Sequence, residues 1–192
     1  MNSTSPRLDP LPLATFRPEW LATLARIPGE GLKGSNFPLN VMGTIAHNGD
    51  TFGPFLEYWV MSKSAMSLSV REQELVILRM GYLFQSDYVW KHHIPVAEEF
   101  GLTPIEIDAA RSLAPFDKLK ERDHSLLALT DELVEQRTIG DKVWNQHGSA
   151  FEARELIDLI ALVSQYVFFA LVNNAMKVRL EGNLGEIRGF QC

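Results

Sequence analysis

The sequence predicts an all-α protein, and three observations carry that prediction. No stretch alternates apolar and polar residues with the strand period, and the periodic segments are rich in Ala, Leu, Glu and Arg. Two segments open with a capping box: Ser69 with Glu72, and Thr103 with Glu106 behind Pro104 at the first helical position. Gly101 stands where a helix should stop, just before the second box.

Taken in chain order, the N-terminus MNSTSPRLDPLP has no apolar run of the kind a leader peptide carries, and reads as a flexible or surface-wrapped arm. A first helix is expected over Pro18 to Arg26, followed by the Gly- and Pro-rich loop GEGLKGSNFPLN. Helices are then expected over Val41 to His47 and Phe52 to Ser64, and a tight three-helix unit over 70–85, 87–100 and 104–112. A longer helix follows from Lys118 to Glu135, a short one from Lys142 to His147, and a last long one from Glu152 to Glu181. Residues 1–40 are expected to form an arm and first helix, and residues 41–192 the helical domain. EQELVILRMGY and LIDLIALVSQY echo one another, Glu74 over Asp158 and Tyr82 over Tyr166, which leaves room for two matched helical halves.

Composition narrows the function classes. The chain has 192 residues, 46% hydrophobic and 22% charged, with a net charge of -6. It carries no basic run interleaved with aromatics, so no nucleic-acid partner is expected. Leu156 to Val172 is apolar but interrupted by Asp158, Ser164 and Gln165; it reads as a core or interface helix, short for a membrane span. The single cysteine, Cys192, can make neither an internal disulfide nor a CxxC pair, and fits a reducing, cytoplasmic setting.

The segment from Ser86 to Gly101, SDYVWKHHIPVAEEFG, holds adjacent histidines. At about 100° per residue from Ser86, Val89, Trp90, Ile94, Val96, Ala97 and Phe100 form one arc. His93, at about 340°, falls inside it, and His92, at about 240°, on its flank. Pro95 is expected to kink the helix with its ring toward solvent. The preceding helix is apolar almost all round yet contains Glu74, which needs a partner if buried. His93 can be that partner if the two helices pack antiparallel through a turn at Gln85–Ser86. The plainer reading of the same residues is a satisfied core histidine and a structural carboxylate.

Metal chemistry finds little footing. His92 and His93 diverge too far to grip one ion. Glu121 and His124 have the spacing of one half of a di-iron site, without a second half, and read as part of a solvated face in KLKERDH. His47 and His147 read as loop or cap residues.

REQELVILRMGYLFQSDYVWKHHIPVAEEFGLTPIEI resembles the carboxymuconolactone decarboxylase and alkylhydroperoxidase D-like superfamily over roughly residues 50–185. The peroxidase branch shows a glutamate, eleven residues, then C-x-x-C-x-x-x-H; here Glu74 is followed by Ser86, Val89 and His93 at those places. The decarboxylase branch often reads Y-E-W-x-x-H-x-x-x-A, against Tyr88, Val89, Trp90, His93 and Ala97 here. The resemblance implies an alkylhydroperoxidase D-like helical bundle, a small-molecule substrate, no cofactor or metal, and assembly into a trimer or hexamer. It implies His93 as general acid/base oriented by Glu74, with Tyr88, Trp90, His92, Arg71 and Ser86 meeting the substrate. Arg71 or Arg79 could bind a substrate carboxylate, or be a surface or interface charge. Thiol peroxidase chemistry is disfavoured, because Ser86 and Val89 cannot do redox work. The expected activity is decarboxylation or proton transfer on a lactone or carboxylated small molecule. The alternatives are a family member without redox cysteines and a non-catalytic oligomeric ligand-binding protein.

Overall fold

The structure, a computed structural model, describes residues 5–27, 39–114, 116–117 and 119–182. Most of the Gly- and Pro-rich loop, Lys118 and Cys192 lie outside the described residues. Nine α-helices and no strand occur among them: α1 Pro18–Leu24, α2 Leu39–Ile45, α3 Gly49–Ala65, α4 Val70–Leu83, α5 Asp87–Glu99, α6 Pro104–Ala109, α7 Glu121–Gln136, α8 Asp141–His147 and α9 Ala153–Met176. The all-helical prediction holds. The described residues divide into two compact units, one of residues up to 66 with those from 171, the other of residues 67–170.

In the first unit, Phe16, Trp20 and Phe52 meet edge to face, with centroids 4.8 to 5.8 Å apart, and join α1 to α3. The N-terminal arm lies along this unit. Leu11 N–H donates to Gly43 O at 3.1 Å, and Arg7 N–H to Met176 O at 2.8 Å. His47 Nε2 bonds the Asp9 carbonyl at 2.9 Å, so this histidine ties down the arm. A Cβ on Gly43 would stand 2.4 Å from Leu11 O, and only glycine allows so close an approach.

The second unit is built on the α4–α5 hairpin. Both expected capping boxes form: Ser69 N–H donates to Glu72 Oε2 at 2.8 Å and Thr103 N–H to Glu106 Oε2 at 2.8 Å. α4 ends in a Schellman turn, with Ser86 N–H on Gly81 O at 2.8 Å and Gln85 N–H on Tyr82 O at 3.0 Å. Its left-handed residue is Gln85, φ 50°, rather than a glycine. α5 ends the same way at Gly101, φ 91°. Leu75 and Leu78 of α4, Trp90 and Ala97 of α5, Ile107 of α6 and Leu127 of α7 share one buried cluster. Trp90 is therefore a core side chain.

α9 corrects two expectations. It runs 24 residues and, among the described residues, is the one helix long and apolar enough to cross a membrane by length and composition. It stops at Met176 because Lys177 turns left-handed, φ 53°, and Val178 N–H closes on Asn173 O at 3.0 Å. Leu159, Leu162, Val163, Tyr166, Phe169 and Ala170 are buried, whereas Ile157, Ile160, Phe168 and Leu171 are exposed, so one face of the helix packs and the other does not.

Candidate functional site

Glu74 comes from the middle of α4 and is buried among Leu75, Val76, Ile77 and Leu78. A charge there needs a hydrogen-bonded partner. α5 supplies it, because the three-residue turn folds it back on α4. Gly81 faces Trp90 across the start of the hairpin while Glu74 faces His93 further on, the order of an antiparallel pair. A Cβ on Gly81 would lie 3.2 Å from Trp90 N, so the glycine sets how near α5 comes. At that spacing His93 Nδ1 sits 2.6 Å from Glu74 Oε2. The Glu74 carboxylate is 3% exposed and the His93 side chain 18%.

The other ring nitrogen is also engaged. His93 Nε2 lies 3.2 Å from the Tyr166 hydroxyl of α9, with the two rings edge to face, 5.3 Å apart and at 79°. Burial, and then the negative charge of Glu74, push the Tyr166 phenol well above its ordinary value. Tyr166 was not singled out from the sequence. The only signal was its pairing with Tyr82 in the internal echo, which says nothing about His93. Glu74's counterpart in that echo, Asp158, instead accepts bonds from Ser67 N and Oγ at 2.6 and 2.5 Å.

The histidine faces come out differently from the helical wheel. His92, expected on the flank, is buried at 4% exposure, whereas His93, expected inward, is only half-buried. The wheel assumes one buried face, and α5 is covered on more than one side. His92 packs on Tyr88, also buried, with ring centroids 4.4 Å apart. Phe100, placed in the inward arc, is 45% exposed because it lies at the helix end.

Ser86 is fully buried, and its Oγ has no hydrogen-bond partner among the described residues; it does not cap α5 through its side chain. Arg71 donates to both Asp123 oxygens at 2.9 Å and to Glu106 Oε1 at 2.5 Å. The Asp123 hydrogen bond, above all, raises the Arg71 guanidinium further. Arg79 is not a surface charge: it is 2% exposed, forks onto Asp131 at 2.6 and 2.7 Å, and donates to the carbonyls of Ala110 and Ser112.

KLKERDH is solvated only in part: Lys120 and Glu121 are exposed, while Arg122, Asp123 and His124 pair or pack. Arg122 bonds Glu72 at 2.6 Å and Glu155 at 2.5 Å, Asp123 is buried, and His124 packs on Phe116 and His147. Ser125 Oγ lies 2.9 Å from His147 Nδ1. Burial, then the His124 charge, pull the His147 imidazole below its ordinary value. Among the described residues no group of three or more His, Cys, Asp or Glu could hold a metal ion.

Fold and site thus define a helical hairpin protein with a buried carboxylate–imidazole–phenol chain. Residues 54–132 match the Carboxymuconolactone decarboxylase family. The fold is shared with a cysteine-to-alanine variant of the debrominase Bmp8 in complex with 2,3,4-tribromopyrrole (14% identity, 96% of this chain and 97% of that chain covered, TM-score 0.76). The apo form of Bmp8 gives 15% identity, the same coverages and a TM-score of 0.75. A protein of unknown function from Agrobacterium tumefaciens, a proposed antioxidant defence protein AhpD, gives 14% identity, coverages of 72% and 96%, and a TM-score of 0.64. No curated protein is significantly similar in sequence.

Proposed function

We propose that the protein catalyses a cofactor-free decarboxylation or proton transfer on a lactone or carboxylated small molecule, with His93 as general acid/base and Glu74 orienting it. The observation that carries this reading is the 2.6 Å bond between the buried Glu74 carboxylate and His93 Nδ1, inside the segment that matches the family. When CO2 leaves a carboxylated ring, the electrons of the broken C–C bond stay behind as an enolate-like anion. That carbon must then take up a proton. An imidazolium suits the delivery because its unperturbed pKa lies near neutrality. Glu74 fixes the ring and offsets its positive charge while the proton is held.

Arg71 already serves two carboxylates, and Trp90, Ser86, Tyr88 and His92 are all buried, so the reading rests on Glu74 and His93. Thiol peroxidation stays disfavoured, since Ser86 and Val89 offer no thiolate.

The test is a screen of muconolactone-type acids and other small carboxylated or halogenated rings, following substrate loss and CO2 release. The halogenated arm covers the ligand class bound by the debrominase that shares this fold. Wild-type protein should turn over at least one acid, with H93A and E74Q slowed by about 10²–10⁴-fold, the usual worth of a positioned acid/base. Turnover unchanged in H93A, or no turnover of any acid by the wild type, overturns the proposal.

A further inference from the structure

Both nitrogens of His93 are committed. Nδ1 meets Glu74 at 2.6 Å and Nε2 meets the Tyr166 hydroxyl at 3.2 Å. An imidazole nitrogen has one in-plane bonding direction, used either to donate or to accept. While these two bonds stand, neither nitrogen can hand a proton directly to a third group. Nδ1 faces a carboxylate 3% exposed, which leads away from any ligand. Nε2 leads to an oxygen that can accept one proton and release another.

We propose that Tyr166 is the group that meets the substrate, and that His93 exchanges protons with it through the Tyr166 hydroxyl. The inference rests on the proton-transfer reading above and names a further catalytic residue for it. In the delivering direction, the phenol O–H bond breaks and its proton forms the new C–H bond on the substrate anion. The phenol oxygen takes the proton from Nε2, and the imidazolium becomes neutral against Glu74. One proton is lost from the imidazole and one gained by carbon, and Tyr166 ends as it began. Burial and the Glu74 charge hold the phenol well above its ordinary value, which disfavours a free phenolate between the two transfers. At 3% exposure Tyr166 is out of bulk water, and substrate meets its hydroxyl only on entering beside the half-buried His93 ring.

The experiment uses Y166F in the full chain, with the most readily turned-over acid from the screen as probe. Without substrate, the ¹⁵N resonance of His93 Nε2 should move on Y166F while Nδ1, still on Glu74, stays put; an unmoved Nε2 overturns the inference. With substrate, kcat should fall by at least about 100-fold with little change in KM. The wild type should show a bowed dependence of kcat on deuterium fraction, from two protons moving together, and Y166F a linear one. A purely structural role for Tyr166 would not remove that curvature. An active wild type with an equally active Y166F sinks this inference alone. A wild type that turns over no acid sinks the reading on which it rests, and this inference with it.

Discussion

Gly81 shows how much of the site hangs on one missing methyl group. The Glu74–His93 bond needs α5 close to α4, and a Cβ at residue 81 would press within 3.2 Å of Trp90 N and 3.4 Å of Trp90 Cα. Backbone cannot swing aside as a side-chain tip can. Gly81→Ala should therefore cost roughly 1–3 kcal/mol by overpacking and lengthen the Glu74–His93 bond. A urea midpoint falling together with a shift of the His93 Nδ1 resonance would show both effects; an unchanged midpoint would refute the close-packing account. At this scale the sequence was half readable. Glu74 and His93 could be paired because they are 19 residues apart, across one short turn. Tyr166 could not be added, because it arrives from 73 residues away and no local period reports that approach. The relative burial of His92 and His93 was misread for a related reason: a wheel knows the helix but not how many neighbours cover it.

At the scale of elements, starts were easier to read than stops. A capping box is local, four residues that satisfy one another, and both Ser69–Glu72 and Thr103–Glu106 form as expected. The turn after α4 was harder, since its left-handed residue is Gln85 and not the glycine that would have signalled it. The boxes also carry a pH dependence. Burial pushes the carboxyls of Glu72 and Glu106 up. For Glu72, bonds from Ser69 and Arg122 outweigh burial; for Glu106, bonds from Thr103 and Arg71 do so, and both end below the usual 4.5. A carboxyl lowered in the folded state binds fewer protons there than in the unfolded chain. Its contribution is therefore complete above 4.5 and is lost as pH falls through the lowered folded-state value. The urea midpoint should drop steeply below about pH 4.5, and E72Q with E106Q should be less stable at neutral pH but show a shallower acid limb. An acid limb as steep in the double variant as in the wild type would place the sensitive carboxyls elsewhere.

At the scale of the whole molecule, the unit that carries the site is tied together by three arginines that the sequence could not distinguish from surface charges. Arg71 links α4 to Glu106 of α6 and Asp123 of α7. Arg122 returns from α7 to Glu72 of α4 and reaches Glu155 of α9. Arg79 joins α4 to Asp131 of α7 and holds the two carbonyls that follow α6. Their partners lie 31 to 52 residues away, so composition and period could register the charges but not their burial. Arg79 offers the sharpest test, being the most enclosed of the three. Removing it leaves Asp131, at 16% side-chain exposure, and two carbonyls without their donor. Breaking one side of a buried pair typically costs about 3–5 kcal/mol, a large share of the roughly 5–15 kcal/mol that holds a domain together. R79M should accordingly lower the urea midpoint sharply. R79M with D131M should recover part of the loss, since two apolar groups carry no charge to desolvate. The recovery should stop short of wild type, because the Ala110 and Ser112 carbonyls still lack a donor. A single variant within about 1 kcal/mol of wild type would mean that the pair is solvated after all. A double variant no better than the single would mean that the carbonyls, and not the charge, are what Arg79 serves.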